Sequence, residues 1–324
     1  MLYPLKFKPI YKEKIWGGKR LKSLFNKDFS PLANCGESWE LSGVSGNLSV
    51  IENGFLAGNN ISELIEIYMG ELVGERVFEK YGQEFPLLIK LLDTESYLSI
   101  QVHPDDNYAM KHHNSFGKTE MWVVLDAQPG AEIIAGFSKN VDKETYVEHL
   151  NNGTLKEILN VEQARPGDVF YIPAGRIHAI GAGVTLLEIQ QTSDVTYRVY
   201  DWDRRDENGN YRELHTGQAV EVLDFNKQDQ YKTPYALEEN QFCELVKSPY
   251  FTTRMMAFNK EREIDYSFLD SFVIYSCIEG NCMINYSGGV EVLQAGNVAL
   301  IPAELKNIRL TPQGKCTIVE TYIG

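Results

Sequence analysis

The chain has 324 residues, about two domains of ordinary size. Hydrophobic residues make up 43% and charged residues 23%, a globular composition that excludes wholesale disorder. Asp and Glu number 45 against 31 Lys and Arg, and no basic run offsets the net charge of −14, so neither nucleic acid nor a membrane surface is expected as a partner.

The N-terminal segment Met1–Ile10 lacks the apolar core of a secretory signal, and Lys12, Glu13 and Lys14 follow at once. No apolar run approaches the ~18–20 residues of a membrane helix. Five scattered cysteines (Cys35, Cys243, Cys277, Cys282, Cys316), none in a CxxC pair, suit a reducing compartment. A cytoplasmic location is therefore expected.

Short β-rich segments punctuated by Gly, Pro or Asn run along the chain. They are Val50-Ile51, Leu87–Ile89, Tyr97–Ile100, Trp122–Val124, Ile133-Ile134, Val169–Ile172 and Leu186–Ile189. Two stretches read as helical. Between residues 60 and 81 the apolar residues Ile61, Leu64, Ile65, Tyr68, Leu72 and Val73 recur at threes and fours, with Asn60 as cap, Glu63 three on and Gly82 after the end. Residues 141–159 read as two shorter helices split at Asn151-Asn152-Gly153. The polar, turn-rich segment 224–239 is the best linker, dividing the chain into 1–232 and 233–324. Ser271–Ile278, Cys282–Asn285 and Val298–Ile301 are strands of the second part.

One motif occurs twice. Gly167-Asp-Val-Phe-Tyr-Ile-Pro-Ala174 resembles Gly296-Asn-Val-Ala-Leu-Ile-Pro-Ala303, a separation of 129 that is too long for a solenoid and fits two barrels in tandem. The fold class expected is mainly β, with a few helices inserted in the N-terminal half. His178 lies eleven residues past Gly167, whereas Asn307 lies eleven past Gly296. The chemistry is therefore expected in the first barrel, and a structural role, covering the first barrel's apolar face, in the second.

Chemistry concentrates in three places. In Ser99-Ile-Gln101-Val-His103-Pro-Asp-Asp106, strand alternation points Gln101 and His103 the same way. Glu120 opens another apolar strand, and His178 follows the Gly-Asp-Val-Phe-Tyr-Ile-Pro turn. Two imidazoles, a carboxylate and an amide oxygen suit Zn²⁺ with an open position; two His and one carboxylate also match non-haem iron. His112, His113, His149 and His215 lie in polar or helical contexts and are set aside.

These residues, with Lys118-Thr-Glu120-Met, Pro173–His178, Thr192–Arg198, Ile15–Gly18 and Glu37-Ser-Trp39, resemble the type I mannose-6-phosphate isomerase family, of the cupin superfamily, across residues 7–205. The resemblance implies tandem cupin (jelly-roll) barrels. It implies one Zn²⁺ per chain held by Gln101, His103, Glu120 and His178, and an active-site arginine at Arg198. It puts Ser99, Lys90 and Lys118 in the substrate pocket and makes Glu188 and Asp194 the acid/base candidates, with burial expected to raise the pKa of Glu188. The chain departs from longer relatives at Gly117, where they carry His, at Thr119, where they carry Pro, and in lacking their large helical domain.

The expected function is a zinc-dependent aldose-ketose isomerase that moves a proton between C1 and C2 of a small-molecule sugar phosphate through a cis-enediol. Such an enzyme would act as a monomer or homodimer. The alternatives are an iron-dependent cupin dioxygenase and a non-catalytic sugar-phosphate-binding cupin.

Overall fold

Strands whose side chains are apolar on both faces must be covered on both sides. A computed structural model describes residues 1–206 and 208–324 and sorts their strands into four antiparallel sheets. In the first half, a six-stranded sheet runs in the order Ile10–Lys12, Glu37–Ser42, Leu87–Asp93, Val184–Gln191, Glu120–Ala127, Val169–Ile172. A five-stranded sheet runs Tyr197–Tyr200, Ile100–Val102, His178–Ile180, Glu132–Phe137, Leu159–Gln163. The second half has a six-stranded sheet, Leu5–Lys6, Val298–Ile301, Val273–Glu279, Cys316–Tyr322, Thr252–Phe258, Cys243–Lys247, and a four-stranded one, Arg262–Asp265, Asn307–Pro312, Asn281–Tyr286, Gly289–Gln294. The pairing Leu5↔Leu300 makes the extreme N-terminus an edge strand of the second half.

Alternation along the strands divides the core into layers. Trp122, Val124, Phe170, Leu186, Ile133 and Ile180 fill the space between the first two sheets. Tyr146, Ile158, Ala219 and Leu223 cover the outer side of the five-stranded sheet with helical segments. Ile89, Met121, Val123 and Leu187 face the other way and join Met255, Ile274, Leu300 and Val319 in one core shared by both halves. Met256, Tyr275, Ile284 and Ile318 pack inside the second half. The repeated motif takes equivalent places. Gly167 (φ +91°) and Gly296 (φ +84°) turn into the Val169–Ile172 and Val298–Ile301 strands, and His178 and Asn307 each begin the next strand.

The expected helix over 60–81 is interrupted twice: Ile61–Val73 is kinked at Met69 (φ +45°), and Glu75–Tyr81 is a separate helix. Asn60 and Glu63 form the capping box that the sequence suggests. The second break falls at Gly74 (φ +96°), where a Cβ would lie 2.6 Å from the Asp270 carbonyl oxygen. Asp270 then caps the second helix, accepting from the Glu75 and Arg76 amides at 2.8 and 3.1 Å. A partner 195 residues away thus sets this boundary. Lys143–Asn151 is a helix and Leu155–Ile158 a 3₁₀ turn, split as expected. The Asp106–His113 helix is additional, capped by Asp105 onto the Tyr108 amide at 2.8 Å. Of the expected Tyr97–Ile100 strand only Ile100 is in a strand, which runs Ile100–Val102. No helix is long and apolar enough to cross a membrane among the described residues.

Phe85 and Phe272 meet across the shared core with ring centroids 4.9 Å apart, and both are buried. Phe272→Ala should therefore destabilise the chain by about 3–5 kcal/mol in urea denaturation. A loss below about 1 kcal/mol would show that the two halves do not stabilise one another.

Candidate metal centre and its pocket

Register across the five-stranded sheet brings the site together. Gln101 lies opposite His178 on one side and Arg198 on the other. His103 follows the same short strand. Glu120 opens a strand of the facing sheet, opposite Gln190 and Ile172. His103, Glu120 and His178 are all buried, and one donor atom from each lies within 4.8 Å of the others.

Each imidazole is fixed through its Nδ1. His103 Nδ1 donates to the Val195 carbonyl at 3.1 Å and His178 Nδ1 to the Arg176 carbonyl at 2.8 Å. Each Nε2 therefore presents a lone pair. These face Glu120, with His103 Nε2 3.5 Å from Oε2 and His178 Nε2 3.4 Å from Oε1. Burial, reinforced for His103 by the Lys118 charge, holds His103 well below the usual imidazole range and brings His178 to about 4, so neither supplies a proton. His103 Nε2 and both Glu120 oxygens have no hydrogen-bond partner among the described residues. Lys118 Nζ lies 3.2 Å from Glu120 Oε2, but not in hydrogen-bonding geometry. Buried acceptors facing one another are costly unless a cation sits between them, so this donor set fits a divalent metal ion. Gln101 Nε2 lies 3.2 Å from His178 Nε2, and turning the amide over would present its oxygen there.

Next to the centre, one row of side chains crosses the six-stranded sheet. Trp39 pairs with Lys90, Lys90 with Glu188, and Glu188 with Trp122. Lys90 Nζ reaches Glu188 Oε1 at 2.9 Å, and Trp122 Nε1 donates to Glu188 Oε2 at 2.9 Å. Burial alone would raise Glu188, as expected from the sequence. The Lys90 and Lys118 charges outweigh it, so the carboxylate lies below its ordinary range and both oxygens are committed. That expectation is reversed by a partner on the adjacent strand. Glu120 is the opposite case. Burial and the Glu188 charge exceed the opposing Lys118 and Lys90 charges and push it up to about 7.

A cavity of about 390 Å³ opens over this row, lined by Ser99, Gln101, Lys90, Lys118, Glu188, Asp194 and Arg198. Trp16, Trp39, Asn47 and Thr196 also line it. Asp194 is exposed at its edge. Four charged liners escape the sequence reading: Lys12, Lys14, Glu37 and Arg212. Strand alternation puts Glu37 on the face of Trp39, a signal available in the sequence. Arg212, in a loop, offers none. Burial would raise Glu37, but Lys90 and Lys14 bring it to about 2. Six cations against three carboxylates give the cavity a local excess of three positive charges. A Cβ at Gly117 would meet the Asp105 and Asp106 backbone at 2.5 Å, so the chain leading into Lys118 has no room for a larger residue.

Residues 4–146 match the family model of the phosphomannose isomerase type I catalytic domain, and residues 241–323 that of the mannose-6-phosphate isomerase cupin domain. A mannose-6-phosphate isomerase of Bacillus subtilis is 36% identical over 97% of this chain and 98% of its own. One from Streptococcus mutans is 35% identical over 95% of each. The crystal structure of the mannose 6-phosphate isomerase from Bacillus subtilis superposes with a TM-score of 0.89 at 35% identity, covering 99% of both chains.

Metal binding requires Glu120 ionised. Its raised pKa means that the metal-free protein keeps that proton until pH about 7, while both histidines are already neutral. Affinity for a divalent ion should rise about tenfold per pH unit up to pH about 7 and then level off, as chelator competition would measure. Affinity that is flat across that range would contradict the geometry.

Proposed function

Because the chain belongs to the type I phosphomannose isomerase family, we propose that it interconverts mannose 6-phosphate and fructose 6-phosphate. The observation that carries this reading is a three-acceptor metal centre beside a cation-lined cavity in a chain whose net charge is −14. Short contacts at low dielectric outweigh distant, screened repulsion of an anionic substrate.

Zn²⁺, held by His103, Glu120 and His178 with Gln101 as fourth ligand, would supply Lewis-acid polarisation of a substrate oxygen. The rest of the chemistry belongs to the chain's own residues. A base removes the proton from C2 of the aldose, and the C–H electron pair becomes the C1–C2 double bond of a cis-enediol. The C1 oxygen takes up a proton, and a proton returned to C1 while the C2 hydroxyl loses its own completes the ketose. We assign the base to Asp194, whose carboxylate reaches the cavity without a hydrogen-bond partner among the described residues. Glu188, which Lys90 and Trp122 occupy, serves instead to hold Lys90 against the substrate. Arg198, opposite Gln101 in register, has a permanently charged guanidinium suited to the developing oxyanion. Ser99, Lys90 and Lys118 bind the sugar hydroxyls. Lys90 is held protonated, since Glu188 and Glu37 outweigh the burial that would lower it.

A coupled assay on the metal-loaded protein, with elemental analysis, tests this. Glu120→Ala should lose both the ion and turnover, and Asp194→Asn should lower kcat by about 10²–10⁴ with metal retained. Iron in place of zinc, together with oxygen uptake, would turn the reading toward a dioxygenase. Full activity in Glu120→Ala would refute it.

A further inference from the structure

The six cations around the cavity are not equivalent. Two are neutralised within the protein, Lys90 by Glu188 at 2.9 Å and Lys14 by Glu37 at 3.1 Å, and Lys118 lies 3.2 Å from Glu120, the carboxylate of the metal centre. The other three are not neutralised. Lys12 contacts Asn47 and the Trp39 ring, with no carboxylate partner among the described residues. Arg198 donates to the Glu213 carbonyl at 2.8 Å, and its buried Nε has no partner among the described residues. Arg212 meets Asp201, but Arg204 claims the same carboxylate at 2.5 Å, so one negative charge serves two guanidiniums. Lys12 stands over the Trp39 ring, beside the Lys90 row, whereas the two guanidiniums without a full counter-charge, Arg198 and Arg212, make up the arginine side of the cavity.

We propose that Arg212 binds the phosphate monoester of the substrate and that Asp201 is the positioning residue that aims it. This rests on the sugar-phosphate reading above. Asp201 is buried and grips Arg212 through Nε at 2.6 Å and through Nη2. That grip fixes the plane of the guanidinium and leaves Nη1 without a partner among the described residues. Arg204 is spent elsewhere, with Nη1 on the Tyr97 carbonyl at 2.5 Å and Nη2 on Asp201. The backbone around Arg212 is tied down as well: the Glu213 carbonyl accepts from Arg198, and the His215 amide donates to the Arg198 carbonyl at 2.7 Å. A rigid, planar, singly anchored guanidinium is the geometry that takes two phosphate oxygens at once. With the phosphate at Arg212, the sugar extends past Arg198 toward Gln101 and the metal centre.

The test compares Arg212→Gln, which keeps an amide donor for Asp201 but no charge, with Arg212→Lys and Asp201→Asn. Inorganic phosphate is titrated calorimetrically into each zinc-loaded protein, and KM and kcat are measured with mannose 6-phosphate. Arg212→Gln should weaken phosphate binding and raise KM roughly tenfold or more, with a far smaller fall in kcat. Arg212→Lys should recover part of the affinity, and Asp201→Asn should move KM in the same direction by less. Wild-type phosphate affinity and KM in Arg212→Gln, at unchanged melting temperature, would overturn the assignment. If the wild-type protein turns over neither sugar phosphate, the functional reading fails instead, and loss of phosphate affinity in Arg212→Gln still supports the anion site.

Discussion

Three buried acceptors face one another with at most one proton, that of Glu120, between them. The two Nδ1–H groups of His103 and His178 are spent on carbonyls, burial keeps both rings neutral, and Glu120 brings a carboxylate between them. Hydrogen bonds alone cannot satisfy this arrangement, and a divalent cation can. The surrounding architecture serves that point. A five-stranded sheet supplies the imidazoles, a facing six-stranded sheet supplies the carboxylate, and the layer of Trp122, Phe170 and Ile180 holds the two apart.

The second constraint is charge. An acidic chain concentrates lysines and arginines in one cavity and neutralises them unevenly. In the Trp39–Lys90–Glu188–Trp122 row Lys90 has its carboxylate, so it is a fixed, hydrogen-bonding cation rather than a free anion trap. At the Arg198–Arg212 end one carboxylate, Asp201, is shared by two guanidiniums. On the proposed reading, this polarity would give a sugar phosphate a direction in the cavity, with its anionic end on the arginines and its carbonyl end toward the metal centre.

Much of this was legible in the sequence because it depends on local pattern. The repeated Gly-x-x-x-x-Ile-Pro-Ala turn marks equivalent strands in both halves, and the exchange of His178 for Asn307 tells which half can hold a metal. Alternation along Ser99–His103 aims Gln101 inward. What the sequence hides depends on distant partners. The helix break at Gly74 is imposed by Asp270. The lowered pKa of Glu188 is imposed by Lys90, 98 residues away. Arg212 sits in a loop with no periodicity, and only the fold brings it to Asp201 and the cavity wall. Lys12 and Glu37 lie between these cases, on strands whose alternation was readable but whose face toward the cavity was not.

The metal centre is tested most directly by X-ray absorption at the zinc edge of the metal-loaded protein. The spectrum should show a nitrogen and oxygen shell near 2.0–2.1 Å with the multiple scattering of two imidazoles. A sulfur shell, or the absence of imidazole scattering, would contradict ligation by His103, Glu120 and His178.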